Sequence, residues 1–300
     1  MNIVGALERT GCTVEPPPYV SQHQLPFRRL HARKYTFSRR RGVSIHAGRQ
    51  LDDDTWRMAA KLLDALLPQS CVLCGLPDES SALCSRCRKV LPANGRCCRR
   101  CATSLDAFTT DDVECGSCQA NPPVFCRAIA PFCYAFPVDA ALKHLKFRRR
   151  LLFAPLFANL LLPVLRRDFA DCDCLVPVPL HRWRHALRGF NQADEICRPL
   201  ARASGLKMLM NVSRRQATRP QSGVTAAERR SNLRNAFAIR GAVRARYPLI
   251  VDDVMTTGST CNELARTLLD AGAERVGVLV VARAAVNSGN QAAAGTSLNV

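Results

Sequence analysis

The sequence lacks an apolar run long enough to span a bilayer. Its longest such run, residues 151–165, is shorter than the ~20 residues that a membrane-spanning helix needs, and it is interrupted by Pro155, Asn159 and Pro163. The first thirty residues also lack the apolar segment of a secretory signal. These absences predict a cytoplasmic protein without a membrane span. In that reducing compartment, paired cysteines bind metal more often than they form disulfides.

Two further absences narrow the function. The chain has no phosphate loop of the G-x-x-x-x-G-K-[ST] type, which argues against a P-loop nucleotide triphosphatase. Acidic residues are scarce, and the formal net charge is +19. A charge of this size indicates polyanionic partners such as nucleic acid, phosphorylated substrates or a membrane surface, with a solvated basic surface as the alternative.

Residues 1–57 differ from the rest of the chain. No acidic residue lies between Glu15 and Asp52, and no helical or alternating pattern persists. We expect a disordered basic extension. Two interpretations remain open: an arm that contacts DNA, or a segment absent from the natural protein if translation starts at Met58, where an amphipathic helix begins.

Cysteine is abundant, and eight of the sixteen cysteines form four Cys-x-x-Cys pairs. The pairs are Cys71/Cys74, Cys84/Cys87, Cys98/Cys101 and Cys115/Cys118. Two such pairs place four thiolates around one tetrahedral ion, so the pattern predicts closed structural zinc sites. Adjacent and interleaved pairing both fit, and Cys97 is an alternative to Cys98. Nearby arginines suit either phosphate contacts or a plain charged surface.

From residue 127 to residue 284 short apolar runs alternate with helical patterns. This alternation predicts an α/β domain with a parallel sheet and flanking helices. The predicted organisation is a basic extension (1–57), a helix with a double cysteine module (58–126), the α/β domain (127–284) and a flexible tail (285–300).

The string "LIVDDVMTTGST" ends a predicted strand on Asp252 and Asp253 and then opens a polar loop. Ligands of doubly wound sheets bind beyond the carboxyl ends of the strands, where these carboxylates would accept hydrogen bonds from ribose hydroxyls. The loop offers hydroxyls, a glycine and a helix N-terminus to a phosphate. Its residues are Thr256, Thr257, Gly258, Ser259 and Thr260. The alternative is an acidic strand end followed by a helix that Ser259 or Thr260 caps.

This string resembles the phosphoribosyl-pyrophosphate (PRPP) motif of type I phosphoribosyltransferases. The paired cysteines, "LKF" (145–147), "VPVPLHRWRHALRGFNQ" (176–192) and "RPQSGVTAAERRSNLRNAF" (219–237) make the chain similar to the ComF/GntX family. The resemblance implies that Asp252 and Asp253 take the 2′ and 3′ hydroxyls and act as the catalytic acids, and that residues 256–260 hold the 5′-phosphate.

Further roles follow from the same resemblance. Pyrophosphate, with Mg²⁺, would bind the loop at Val178, Pro179 and Leu180, with Arg182, Arg184 or Arg188 as charge partners. Residues 219–230 would form a mobile hood over the site. The family likeness implies a role in competence and the uptake of single-stranded DNA, beside a helicase partner. The alternative is an active phosphoribosyltransferase of nucleotide or sugar metabolism, like GntX, without a DNA role.

Overall fold

The structure, a computed structural model, describes residues 70–77, 82–105, 113–180, 186, 188–215, 236–241 and 243–285. The basic extension, the helix expected at Met58, the hood segment and the tail beyond residue 285 lie outside these ranges, as do Arg182 and Arg184. The chain divides into two compact units between Val90 and Leu91.

The smaller unit is organised around four cysteines. Backbone hydrogen bonds from Cys71 to Leu76 and from Val72 to Ala82 fold the chain back on itself. Helix α1 (Ser85–Lys89) follows, and the Cys84 side chain at its N-cap accepts a hydrogen bond from the Cys87 N–H. Sulfur therefore takes the place that Ser or Asp usually fills at a helix start.

Within the described residues, the larger unit contains eight strands and five helices. The strands are β1 (Arg127–Ile129), β2 (Phe132–Cys133), β3 (Cys174–Pro177), β4 (Lys207–Met208), β5 (Val212–Arg214), β6 (Phe237–Ile239), β7 (Pro248–Met255) and β8 (Gly277–Arg283). The helices are α2 (Gly116–Ala120), α3 (Val138–Arg148), α4 (Phe153–Asp168), α5 (Gln192–Ser204) and α6 (Ser259–Asp270).

Six strands form a parallel sheet in the order β1-β8-β7-β3-β4, with β2 also paired to β8. Strands β5 and β6 form a separate antiparallel pair. In the register of β7 and β8, Asp252 lies opposite Val280 and Met255 opposite Arg283. The predicted parallel sheet with flanking helices is confirmed, and the carboxyl ends of β3, β7 and β8 lie side by side.

The two central strands are buried on both faces, which explains their nearly continuous apolar sequences. Ile250, Val278 and Val280 belong to one core cluster with Leu264 and Leu268 of α6. Alternate residues point to the other face, and helices α4 and α5 pack against each other and against the sheet. This packing fixes the strand ends at which the candidate site lies.

Two segments differ from what their sequence predicts. The apolar pattern of "LKMLMNVSR" (206–214) predicts one strand, but the segment contributes β4 to the large sheet and β5 to the antiparallel pair. The helical pattern of residues 138–167 predicts a break near the prolines, but the break comes where Arg149 adopts a left-handed conformation after α3. Pro155 is tolerated because the N–H groups of a helix's first turn have no acceptor within the helix.

Candidate functional site

The two predicted acids lie at the carboxyl end of β7. Asp253 is buried, with 6% of its surface exposed, and Asp252 is half-buried. Oδ1 of Asp252 accepts a hydrogen bond from the Asp253 N–H at 2.8 Å, and Oδ1 of Asp253 accepts one from the Val254 N–H at 2.7 Å. These bonds satisfy one oxygen of each carboxylate and leave the other for a partner.

Lys146 supplies that partner for Asp253. Its Nζ lies 2.6 Å from Oδ2 of Asp253, and the side chains are 20% and 9% exposed. Lys146 belongs to α3, so a helix more than one hundred residues earlier in the chain reaches into the acidic strand end. Charge pairing offsets the cost of burying the carboxylate, and it brings a cation to the acidic end of β7.

Asp252, the other acid of the pair, has an unusual protonation equilibrium. Burial and the neighbouring charge of Asp253 raise the pKa of Asp252 to about 7, while Lys146 and Arg214 oppose the rise. Asp252 therefore exchanges a proton near neutral pH, whereas an ordinary aspartate is fully ionised there. Perturbed carboxyl groups of this kind are common in binding and catalytic sites.

The loop after β7 leads directly into α6. Gly258 has φ +78° and occupies the N-cap position, and no side chain caps the helix. The expected alternative, a cap by Ser259 or Thr260, is thus not what the structure has. Thr257 Oγ1 lies 2.8 Å from Ser259 Oγ and accepts a hydrogen bond from the Ser259 N–H at 3.3 Å. The hydroxyls of Thr257 and Ser259 thus lie beside the N-terminus of α6, an arrangement that suits an anion.

The segment after β3 adjoins the acidic strand end. The Val178 N–H donates to the Val251 carbonyl at 3.0 Å, immediately before Asp252. The Val178 carbonyl accepts from Nδ2 of Asn191, the N-cap of α5, at 3.0 Å. Pro179 and Leu180 follow and are partly exposed. The structure thus brings residues 178–180 beside the two acids predicted to bind ribose. Binding of pyrophosphate by residues 178–180 remains a prediction.

The eight cysteines of the Cys-x-x-Cys pairs form two clusters. One contains Cys71, Cys74, Cys84 and Cys87, and the other contains Cys98, Cys101, Cys115 and Cys118; the sulfurs within each lie within 4.8 Å of one another. Pairing is therefore between adjacent pairs, and the ligand set of the second cluster contains Cys98 and not Cys97.

The sulfur spacing fits zinc. Cys74 and Cys84 are 3.8 Å apart at Sγ, and Cys101 and Cys115 are 3.7 Å apart. Four sulfurs at about 2.3 Å from a tetrahedral ion would be separated by roughly 3.8 Å. Burial disfavours the thiolate of Cys71, but N–H donors from Cys74 and Cys84 outweigh it and lower the pKa of Cys71 to about 7. The residues present thus suit the group that the pattern predicts.

Comparison with known families agrees with this architecture. Residues 62–119 match the double zinc ribbon domain, and residues 186–293 match the phosphoribosyl transferase domain. The fold and the site thus define a phosphoribosyltransferase-like protein with N-terminal zinc-ribbon cysteines.

Similar proteins make the assignment more specific. The chain is 36% identical over 225 residues to "DNA utilization protein YhgH" of Escherichia coli K12, covering 72% of this chain and 98% of that protein. It is 31% identical over 225 residues to "Competence protein F" of Haemophilus influenzae, covering 71% and 96%. It is 28% identical over 221 residues to "Competence protein ComFC" of Streptococcus pneumoniae, covering 69% and 96%. The chain belongs to the ComF/GntX family.

A likeness among solved structures is slight. A Bacillus subtilis glutamine PRPP amidotransferase aligns with 17% identity and a TM-score of 0.34, over 47% of this chain and 30% of that chain. Within the described residues, no helix is both long enough and apolar enough to cross a membrane.

Two residues at the site escaped the sequence analysis. Lys146 lies in the "LKF" motif, and Arg283 is the last residue of β8. Both act through contacts across the fold, with Asp253 and with the carbonyls of Met255 and Thr256. A basic residue that ends an otherwise apolar strand is the sequence signal for Arg283.

Proposed function

We propose that this protein binds PRPP or ribose 5-phosphate at the end of β7 and acts in the uptake of single-stranded DNA. Sugar-phosphate binding is supported by one arrangement: two carboxylates near the end of a strand lie next to a helix N-terminus that no side chain caps. Asp252 and Asp253 would accept hydrogen bonds from the ribose 2′ and 3′ hydroxyls. Thr256, Thr257, Gly258, Ser259 and Thr260 would hold the 5′-phosphate.

The same arrangement suits displacement at the ribose C1, with pyrophosphate leaving. Mg²⁺, when bound with PRPP, would neutralise charge on the leaving group. Pro179, Leu180, Arg184 and Arg188 are the proposed pyrophosphate contacts. The carboxylates would stabilise positive charge on the ring. The second candidate function is an active phosphoribosyltransferase without a DNA role. The raised pKa of Asp252, caused by burial and the charge of Asp253, favours its catalytic part. Release of pyrophosphate from PRPP is its assay.

Binding is tested by titration calorimetry of the full chain with ribose 5-phosphate and with PRPP plus Mg²⁺. The wild type should bind both, whereas Asp252→Asn/Asp253→Asn should lose at least tenfold in affinity because charge-assisted hydrogen bonds contribute about 1.5–3 kcal/mol each. Asp171→Asn is the matched control, since Asp171 is exposed and pairs with Arg275. Equal affinity of the wild type and the double variant would contradict the proposed site.

The DNA role is supported by the names of the relatives and by an exposed corner between α3 and α4. Phe147 is 67% exposed there, and Leu151 and Leu152 are 46% and 44% exposed. The Arg188 guanidinium lies 5.5 Å from the centroid of the Phe147 ring. Arg148 and Arg149 are exposed, and no described carboxylate pairs with either. Aromatic rings beside arginines are the features with which proteins stack bases and neutralise phosphates of single strands.

Fluorescence anisotropy with a labelled oligodeoxynucleotide tests this corner. Phe147→Ala should weaken binding about 5- to 100-fold, because stacking contributes ~1–3 kcal/mol per base. Phe136→Ala is the matched control at another exposed phenylalanine. Arg148→Ser/Arg149→Ser should reduce the slope of log affinity against log salt by about 1.4. An unchanged affinity in the Phe147 variant would remove the corner from the DNA interface, and a flat salt response of the wild type would contradict the DNA role itself.

A further inference from the structure

Arg283, the last residue of β8, is a buried cation with only 4% of its surface exposed. Its Nη1 donates to the Met255 carbonyl at 2.9 Å and also to the Thr256 carbonyl. These carbonyls begin the candidate phosphate loop. A guanidinium offers five donors in a fixed planar fork, so it can hold several acceptors in one arrangement.

The other side of the same guanidinium faces the second cysteine cluster. Its Nε donates to the Cys101 carbonyl at 3.0 Å, and its Nη2 donates to Thr103 Oγ1 at 2.6 Å. Thr103 Oγ1 in turn lies 3.1 Å from the Cys101 sulfur. Thr103 Oγ1 accepts from the guanidinium and from the Cys101 thiol. Once Cys101 is a metal-bound thiolate, which only accepts, the Thr103 hydroxyl is placed to donate to it. Contacts of this kind to a metal ligand orient the ligand and tune its affinity for the metal.

A second contact joins the cysteine module to the far end of the loop. The Val124 N–H donates to Oδ1 of Asn262 at 2.7 Å. Asn262 lies in the first turn of α6, and its own N–H donates to the Gly258 carbonyl at 2.9 Å. Residues within the second cluster contact one end of the candidate phosphate loop through Arg283. Val124, which follows the cluster, contacts the other end through Asn262.

We propose that Arg283 is a positioning residue that couples metal occupancy of the Cys98/Cys101/Cys115/Cys118 cluster to sugar-phosphate binding. The metal fixes the Cys101–Thr103 turn, the turn fixes the guanidinium, and the guanidinium fixes the carbonyls of the phosphate loop. Loss of zinc or oxidation of these cysteines releases the candidate phosphate loop and lowers its affinity for the sugar phosphate. This inference rests on the proposed binding of ribose 5-phosphate.

Coupling between two binding sites is reciprocal, so bound ribose 5-phosphate must also strengthen zinc binding at the second cluster. The experiment follows zinc release from the full chain to a chromogenic chelator, with and without saturating ribose 5-phosphate. The cluster of Cys71, Cys74, Cys84 and Cys87 is an internal reference, and a Cys74→Ser variant identifies its release phase. We expect ribose 5-phosphate to slow release from the second cluster about fivefold or more and to leave the first unchanged.

Two variants test the route of the coupling. Arg283→Lys keeps the charge but loses the planar fork, and Thr103→Val keeps the side-chain volume but loses the hydroxyl. Both should retain two zinc ions and lose the ligand effect on release. Arg275→Lys, an exposed arginine just before β8, should behave like the wild type. If calorimetry shows ribose 5-phosphate bound and zinc release is still unaffected, the coupling is overturned. If the ligand does not bind at all, the proposed function fails first.

Discussion

Replacing Asp252 by Asn should stabilise the unliganded protein at neutral and alkaline pH. Burial and the charge of Asp253 raise the pKa of the Asp252 carboxyl to about 7. An amide has no charge to bury, and its Oδ1 still accepts the hydrogen bond that the Asp253 N–H donates at 2.8 Å. The substitution therefore removes an electrostatic cost while it keeps the local backbone contact.

The sign follows from the two protonation states. Between the ordinary pKa of 3.8 and the folded value of about 7, the folded state holds a proton that the unfolded chain has released. The free energy of unfolding of the wild type therefore falls as pH rises through this window. The interval from 3.8 to about 7 corresponds to ~4 kcal/mol. Because Asp252 keeps some contact with water, screening reduces the expected gain of the Asn variant at pH 8 to about 1–2 kcal/mol.

Urea denaturation of both proteins between pH 5 and pH 8.5 measures this difference. The Asn variant should gain stability relative to the wild type as pH rises and should approach it at the acid end. Taking the difference at each pH cancels effects common to both proteins, including zinc loss in acid. A difference that is flat with pH, or an Asn variant less stable at pH 8, would refute the electrostatic account. Asp171→Asn should show no such trend, because that carboxylate is exposed.

Three further outcomes are expected. Lys146→Met should lower the free energy of unfolding by about 2–4 kcal/mol, because it leaves the Asp253 carboxylate buried without its partner. Adding Asp253→Asn should restore much of this loss, as a double-mutant cycle by urea denaturation would measure. Gly258→Ala should cost about 1 kcal/mol, because φ is +78° there, and calorimetry should show weaker phosphate binding; unchanged affinity would contradict the role of that turn. Elemental analysis should find two zinc ions per chain, and chelation should unfold the cysteine clusters, as monitored by circular dichroism.

The fold was predictable wherever local pattern determines it. The strand that carries Asp252 and Asp253 and the helix that starts after Gly258 were both evident, because apolar runs and glycine act within a few residues. The strand end was not, since β7 continues past the two acids to Met255. The cysteine ligands were also evident from their spacing. Their pairing was not, since four equivalent pairs allow several partners and only the folded chain brings adjacent pairs together.

The remaining site residues depend on contacts distant in sequence. Lys146 on α3 meets Asp253 on β7 across more than one hundred residues of chain, and no spacing rule connects the two residues. Arg283 contacts the candidate phosphate loop because β8 is paired in register with β7. Such contacts follow from topology, whereas sequence patterns report mainly which face of an element is buried.

If the two acids of β7 bind the ribose hydroxyls while the loop after β7 binds the phosphate, affinity must depend on both groups of the ligand, and a comparison of ligands tests this most directly. Calorimetry of the wild type should show ribose 5-phosphate binding at least tenfold more tightly than 2-deoxyribose 5-phosphate, which lacks one hydrogen bond to a carboxylate. Ribose without phosphate should bind more weakly still, because it leaves the N-terminus of α6 without an anion. Equal affinities for the three ligands, or no binding of any of them, would contradict the account.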